Sequence, residues 1–161
     1  MNLFNGENLT GWHEDKSGAS PVWKVESGVL VRPDRGPELI NNSKFQDFKL
    51  HVEFNCAPDS NSGIYLRGRY EVQIETDSAT DPPSQRMGGV YGFLVPSPEP
   101  ARKPGEWQTY DITLIGRIVT VVLNGTTIVD NKEIPASPAA RSTATKNCQA
   151  PSIFRVAKKA A

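Results

Sequence analysis

Asp111-Ile-Thr-Leu-Ile-Gly-Arg-Ile-Val-Thr-Val-Val-Leu-Asn-Gly-Thr-Thr-Ile-Val129 is the stretch whose reading decides the fold. Its apolar content is β-branched and short-period, the signature of strands rather than helices. Two breaks divide it. Gly116-Arg117 separates Asp111–Ile115 from Ile118–Leu123, and Asn124-Gly125 separates that second run from Thr126–Val129. Asn-Gly tolerates the two positive φ angles of a type I′ turn, the turn whose twist matches a tight hairpin. The segment therefore predicts an antiparallel meander.

The same scheme extends outward. Phe48, Leu50, Val52 and Phe54 alternate with Lys49, His51 and Glu53, and Tyr70, Val72 and Ile74 alternate with Glu71, Gln73 and Glu75. Each run is a half-buried strand. Trp23 to Val31 repeats the arrangement around a Ser27-Gly28 turn. Between these runs, Asp77 to Gly89 and Pro96 to Gly105 carry the proline, glycine and aspartate of exposed connections. No helical period survives beyond a turn or two, and no internal repeat is present. Many short strands with regularly spaced turns predict two antiparallel sheets packed face to face.

Composition narrows the function. The 161 residues hold 18 Lys and Arg against 18 Asp and Glu, a net charge of zero. That argues against nucleic acid or an anionic membrane as the main partner, since both need a basic excess. No apolar run approaches the ~20 residues of a membrane helix. Cys56 and Cys148 suffice for neither a disulfide framework nor a zinc site, which leaves two spare thiols or one bridge. Met1 to Gly6 lacks the basic start and apolar stretch of a signal peptide, so the chain as written reads as cytoplasmic.

Seven phrases in order carry a resemblance. They are Leu3-Phe-Asn-Gly-Glu-Asn-Leu-Thr-Gly-Trp12, Asp47-Phe-Lys-Leu50, Asn61-Ser-Gly-Ile-Tyr-Leu-Arg67, Tyr70-Glu-Val-Gln-Ile74, Gly89-Val-Tyr91, Pro104-Gly-Glu-Trp-Gln108 and Leu123-Asn-Gly125. Together they resemble the 3-keto-disaccharide hydrolase family over Leu3 to about Pro135. The resemblance implies a jelly-roll β-sandwich of the concanavalin A-like type. It also implies a carbohydrate partner, a 3-keto-glycoside cleaved by hydrolysis or 1,2-elimination, and it is compatible with a periplasmic or secreted origin. A carbohydrate-binding module of the same fold without turnover is the alternative, because fold alone does not separate the two. Oligomeric state is left open.

Site residues follow from that chemistry. Glu71, Gln73 and Glu75 share one face of a strand, and Arg67 precedes it by a short bend. Taken alone, the residues fit either a solvated strand face with a cross-strand ion pair or a sugar site. A ketone at C3 acidifies the C2 proton, so a carboxylate can remove it, and the developing enolate needs a donor or cation. With the resemblance, Glu71 is the expected base and Arg67 the expected enolate stabiliser. Asn61, Gln73, Tyr91 and Trp107 are the expected substrate-binding residues, although Trp107 also suits a core position. Asn61-Ser62-Gly63 by itself reads as a turn leading into a strand from Ile64. His13 and His51 show no metal spacing, and Glu75, Asp77 and Asp81 lack the spacing of a calcium loop, so no metal and no cofactor are assigned. Gly88-Gly89 neither follows a strand nor opens a helix, as a phosphate loop would.

The end of the chain departs from the pattern. Residues 1–135 read as one sandwich domain. Past Ile134-Pro135, residues 136–161 become Ala, Ser, Thr and Lys without strand alternation. Read one frame on from about Pro135, suitable codons give a phrase ending Pro-Ile-Tyr-Leu-Gln-Gly, which resembles the closing strand of the family. The sequence thus predicts a one-frame slip, and an irregular, poorly packed tail over 136–161.

Overall fold

The structure, a computed structural model, describes residues 1–15, 22–33, 36–76, 79–136 and 152–157. Strands β1 (Trp12–Glu14), β2 (Lys24–Glu26), β3 (Val29–Arg32) and β4 (Leu39–Asn41) open the chain. Then come β5 (Phe48–Cys56), β6 (Asn61–Leu66), β7 (Tyr70–Glu75), β8 (Gln108–Ile115), β9 (Ile118–Leu123), β10 (Thr126–Glu133) and β11 (Ser152–Ala157). The only helical piece among the described residues is a single 3₁₀ turn, Pro83–Gln85. Seven strands form one sheet in the order β10-β9-β8-β5-β11-β3-β2, while β6 pairs with β7 and β1 with β4. Every strand pairing is antiparallel. The chain is all-β, and its layers are consistent with a β-sandwich.

The meander forms as its alternation requires. Ile115 opposes Ile118 and Tyr110 opposes Leu123 across the β8–β9 turn. Asn124 and Gly125 take φ of 51° and 80°, the two positive angles of the tight turn into β10. Among the described residues no helix is long and apolar enough to cross a membrane.

Two expectations are corrected. Asn61-Ser62-Gly63 is not a turn before a strand: β6 begins at Asn61, which opposes Glu75. Pairing to β7 satisfies the backbone of these three residues better than a local turn would. The expectation of an irregular tail fails at Ser152–Ala157. That segment is β11, inserted between β5 and β3 with Phe154 opposite Phe54 on one side and Leu30 on the other. Without it the two halves of the large sheet would present unpaired edges to each other, so the backbone demand for a partner prevails over weak local propensity. The remainder of the tail after Ala136, including Cys148, lies outside the described residues.

The core lies between the large sheet and the β6–β7 pair. Val52, Phe54 and Cys56 of β5, Tyr110, Ile112 and Leu114 of β8, and Val119, Val121 and Leu123 of β9 form one wall. Leu66, Tyr70, Val72 and Ile74 form the other. Tyr110 joins the two. Its ring packs on Phe54 with centroids 4.8 Å apart, and its hydroxyl donates across the core to the Gln73 carbonyl at 2.7 Å. Met87 Sδ lies 3.1 Å from the same hydroxyl. Burial and the nearby Cys56 raise the Tyr110 hydroxyl pKa well above the usual phenol range, so it remains a donor. Tyr110→Phe should cost about 1–2 kcal/mol, the net worth of a buried hydrogen bond. Urea unfolding will show it as a lower midpoint at unchanged slope; an unchanged midpoint would refute the tie between layers.

Candidate functional site

β7 gains a second neighbour beyond β6. Val90 bridges to Val72, Gln73 N–H donates to Gly89 O, Gly88 N–H to Gln73 O and Tyr91 N–H to Glu71 O, each of these bonds at 2.9 Å. Residues 88–91 thus act as a short third strand. Strand alternation then sets out rows of side chains on the face turned from the core. Tyr65, Glu71 and Tyr91 form one row, Gly63, Gln73 and Gly89 the next, and Asn61 and Glu75 a third.

This face is not a solvated surface. Glu71 is only 4% exposed and Gln73 is fully buried, which removes the reading of an ordinary wetted strand face with an exposed ion pair. Polar groups so placed must be hydrogen-bonded. Tyr65 Oη donates to Glu71 Oε2 at 3.2 Å. Asn61 Nδ2 donates to Glu75 Oε1 and Gln73 Nε2 to Glu75 Oε2, both at 2.9 Å. Tyr91 Oη donates to Gln85 Oε1 at 3.0 Å. Two glycines make the packing possible. A Cβ on Gly63 would stand 2.3 Å from Glu71 Oε1, so the carboxylate lies directly over that residue's backbone. A Cβ on Gly89 would stand 2.6 Å from the Ser84 carbonyl, so the 3₁₀ turn rests on Gly89 and delivers Gln85 to Tyr91.

The charges are acidic and mutually felt. Burial raises the Tyr65 pKa above the usual phenol range, with the charges of Glu71 and then Glu38 adding to it. Burial raises Tyr91 as well, followed by Glu71, Asp81 and Glu75. Both phenols therefore stay protonated. Glu75 is raised first by burial, and further by a hydrogen bond to the Asp81 side chain and its charge, against lowering by the Gln73 and Asn61 amides. Glu38 is raised by burial and by Asp15, with Arg32 opposing.

The structure gathers Glu71, Gln73, Tyr91 and Asn61 on one face, as the alternation required. Arg67 is directed elsewhere. It sits in the β6–β7 turn at φ 54°, and its exposed guanidinium donates to the Gly116 carbonyl in the β8–β9 turn. Trp107 stands half-buried at the entrance to β8, in the other sheet, with its carbonyl accepting from Arg102. His51 belongs to the large sheet, bonded through Nδ1 to Asp111 at 2.8 Å. Asp77 lies outside the described residues. Sequence reasoning missed Tyr65 and Gln85, and grouped Glu75 with Asp81 only as a rejected cation site. Tyr65 was accessible through hairpin parity with Glu71; Gln85 and Asp81 come from a loop and carried no periodic signal. Among the described residues no group of three or more His, Cys, Asp or Glu is arranged to hold a metal. A separate groove of about 360 Å³ lies along β10, lined by Phe93, Leu94, Val95, Ile128 and Lys132. It shares no residue with the rows around Glu71.

An antiparallel β protein with a buried carboxylate between two tyrosines is thus defined. Residues 1–153 match the 3-keto-alpha-glucoside-1,2-lyase-like domain, and the chain belongs to that family. Three crystal structures of candidate glycosyl hydrolases from Parabacteroides distasonis are similar to it. One has a TM-score of 0.76 at 20% identity over 98% of this chain and 93% of its own. Another has a TM-score of 0.71 at 27% identity, covering 98% and 78%. The third has 0.68 at 22%, covering 99% and 91%. No curated protein sequence matches the chain.

Gly63→Ala should displace the Glu71 carboxylate and overpack the site, at a cost of about 1–3 kcal/mol. Thermal unfolding together with a crystal structure of the variant tests this. A native-like melting temperature with Glu71 unmoved would refute the close fit.

Proposed function

We propose that the chain is a carbohydrate-active enzyme that cleaves 3-keto-glycosides, built on a jelly-roll sandwich of the concanavalin A-like type. The observation that carries this reading is the buried Glu71 carboxylate, held by Tyr65 on one flank with Tyr91 on the other, in a chain of this family. Glu71 serves as the base that removes the C2 proton. The electrons left on C2 delocalise onto the C3 ketone oxygen as an enolate. They then return to form the C1–C2 double bond as the C1–O bond breaks, and water adding back gives net hydrolysis. The phenols of Tyr65 and Tyr91, kept protonated by burial and by the carboxylates around them, are the donors best placed to stabilise the enolate. That role passes to them from Arg67, whose guanidinium is engaged at Gly116. Asn61 and Gln73 orient the carboxyls and meet sugar hydroxyls.

Loss of a positioned general base typically costs about 10²–10⁴ in rate. Glu71→Gln should lose that much turnover on a 3-keto-glucoside and stop deuterium wash-in at C2, while the unoxidised parent glucoside is untouched by either protein. Equal turnover by the variant would remove Glu71 from the role. Binding of both sugars without turnover by the wild type would instead identify a non-catalytic module.

A further inference from the structure

Elimination is assisted by a second proton transfer, to the oxygen that leaves C1. The departing glycosidic oxygen leaves as an alkoxide unless an acid protonates it, and few sugars tolerate that. We propose that Glu75 is the proton donor to this oxygen; the assignment rests on the elimination reading above. Glu75 lies on the same strand face as Glu71, four residues along, about 13 Å at ~3.3 Å per residue between Cα atoms. The two side chains close that gap from both ends. Glu71 lies over Gly63, the residue opposite Gln73, and Glu75 accepts from Gln73 Nε2 at 2.9 Å.

Burial and the Asp81 carboxyl favour the acid form of Glu75, while the Asn61 and Gln73 amides, which donate to its two oxygens, favour the carboxylate. From β6 it meets the neutral Asn61 amide, and along its own strand it meets the Gln73 amide. From the loop after β7 it meets the Asp81 carboxyl, and Tyr91 faces it from the 88–91 segment. Among the described residues no Lys, Arg or His makes an ion pair with Glu75. The raised Glu75 pKa accords with this setting. Acid–base cleavage requires one anionic and one protonated carboxyl in a single site, the roles assigned here to Glu71 and Glu75. The balance is simple. Glu71 gains the proton from C2, Glu75 gives one to the leaving oxygen as the C1–O bond breaks, and solvent returns Glu71's proton to Glu75.

The test uses 3-keto-glucosides whose leaving groups differ in acidity. Glu75→Gln should slow cleavage of an alkyl 3-keto-glucoside by about 100-fold or more. A nitrophenyl 3-keto-glucoside, whose leaving group needs no proton, should be cleaved within a few fold of the wild-type rate. Deuterium wash-in at C2 should persist. Equal losses on both substrates, or loss of C2 exchange together with cleavage, would overturn the assignment. Asp81→Asn supplies a second reading. Removing the charge that raises Glu75 should move the alkaline limb of kcat/KM to lower pH, and an unmoved limb would count against the proposal. A wild-type protein that neither exchanges C2 nor cleaves either substrate would instead sink the elimination reading itself, and this assignment with it.

Discussion

The hydroxyl of Tyr110 holds the molecule's two layers together. It starts from the middle of the large sheet and ends on the backbone of the strand that carries the site. The acceptor is the Gln73 carbonyl, which already receives Gly88 N–H. One carbonyl with two lone pairs thereby fixes β7 to the core and residues 88–91 to β7. The strand cannot slide by one residue without losing both bonds and turning Glu71 into the apolar core. Register here is a chemical requirement as well as a structural one, since every candidate residue owes its face to it.

Burying Glu71 and Gln73 on the second face of β7, with Asn61 and Glu75 half-buried beside them, is costly, and the local sequence shows how the cost is met. Tyr65 donates to Glu71 and Asn61 to Glu75 within their rows, Gln73 donates to Glu75 from the next row, and glycine stands where the Glu71 carboxylate and the Ser84 carbonyl approach backbone. Asn61 Oδ1 and Ser60 Oγ are buried exceptions, both beside the Glu75 end of the strand. The acidic excess then works in one direction. Carboxylates raise the phenols, so Tyr65 and Tyr91 keep their protons, and burial with Asp81 raises the Glu75 pKa. A buried face of this composition is poor for stability and well suited to moving protons.

Much of this was legible before any coordinates. Period-2 alternation gave β5 and β7, the meander followed from Asn124-Gly125, and parity alone put Glu71, Gln73 and Glu75 on one face. What stayed hidden has a common cause. The 88–91 strand is a Gly-Gly-Val-Tyr fragment too short for a period and written in turn residues. Its pairing comes from β7, not from its own propensity. Asp81 and Gln85 arrive from a loop whose path no pattern encodes. Arg67 failed differently: proximity along the chain suggested a partner for Glu71, but the left-handed backbone of the turn sends its side chain to another hairpin.

The last strand shows the same priority of pairing over composition. β11 lies in the interior of the seven-stranded sheet although it is the final described element of the chain. Its register sets Phe154 and Val156 opposite Phe54 and Val52, and Arg155 opposite Glu53. So a brief alternation does exist within Ile153-Phe154-Arg155-Val156, obscured by the Ala, Ser and Thr around it. An interior strand supplies two ladders of backbone bonds at once, and omitting it would leave both β5 and β3 as edges. A sheet with such a gap therefore recruits a weakly suited segment that can pair, where an edge position would have left it unpaired. The topology around β11 dictates that a strand be there.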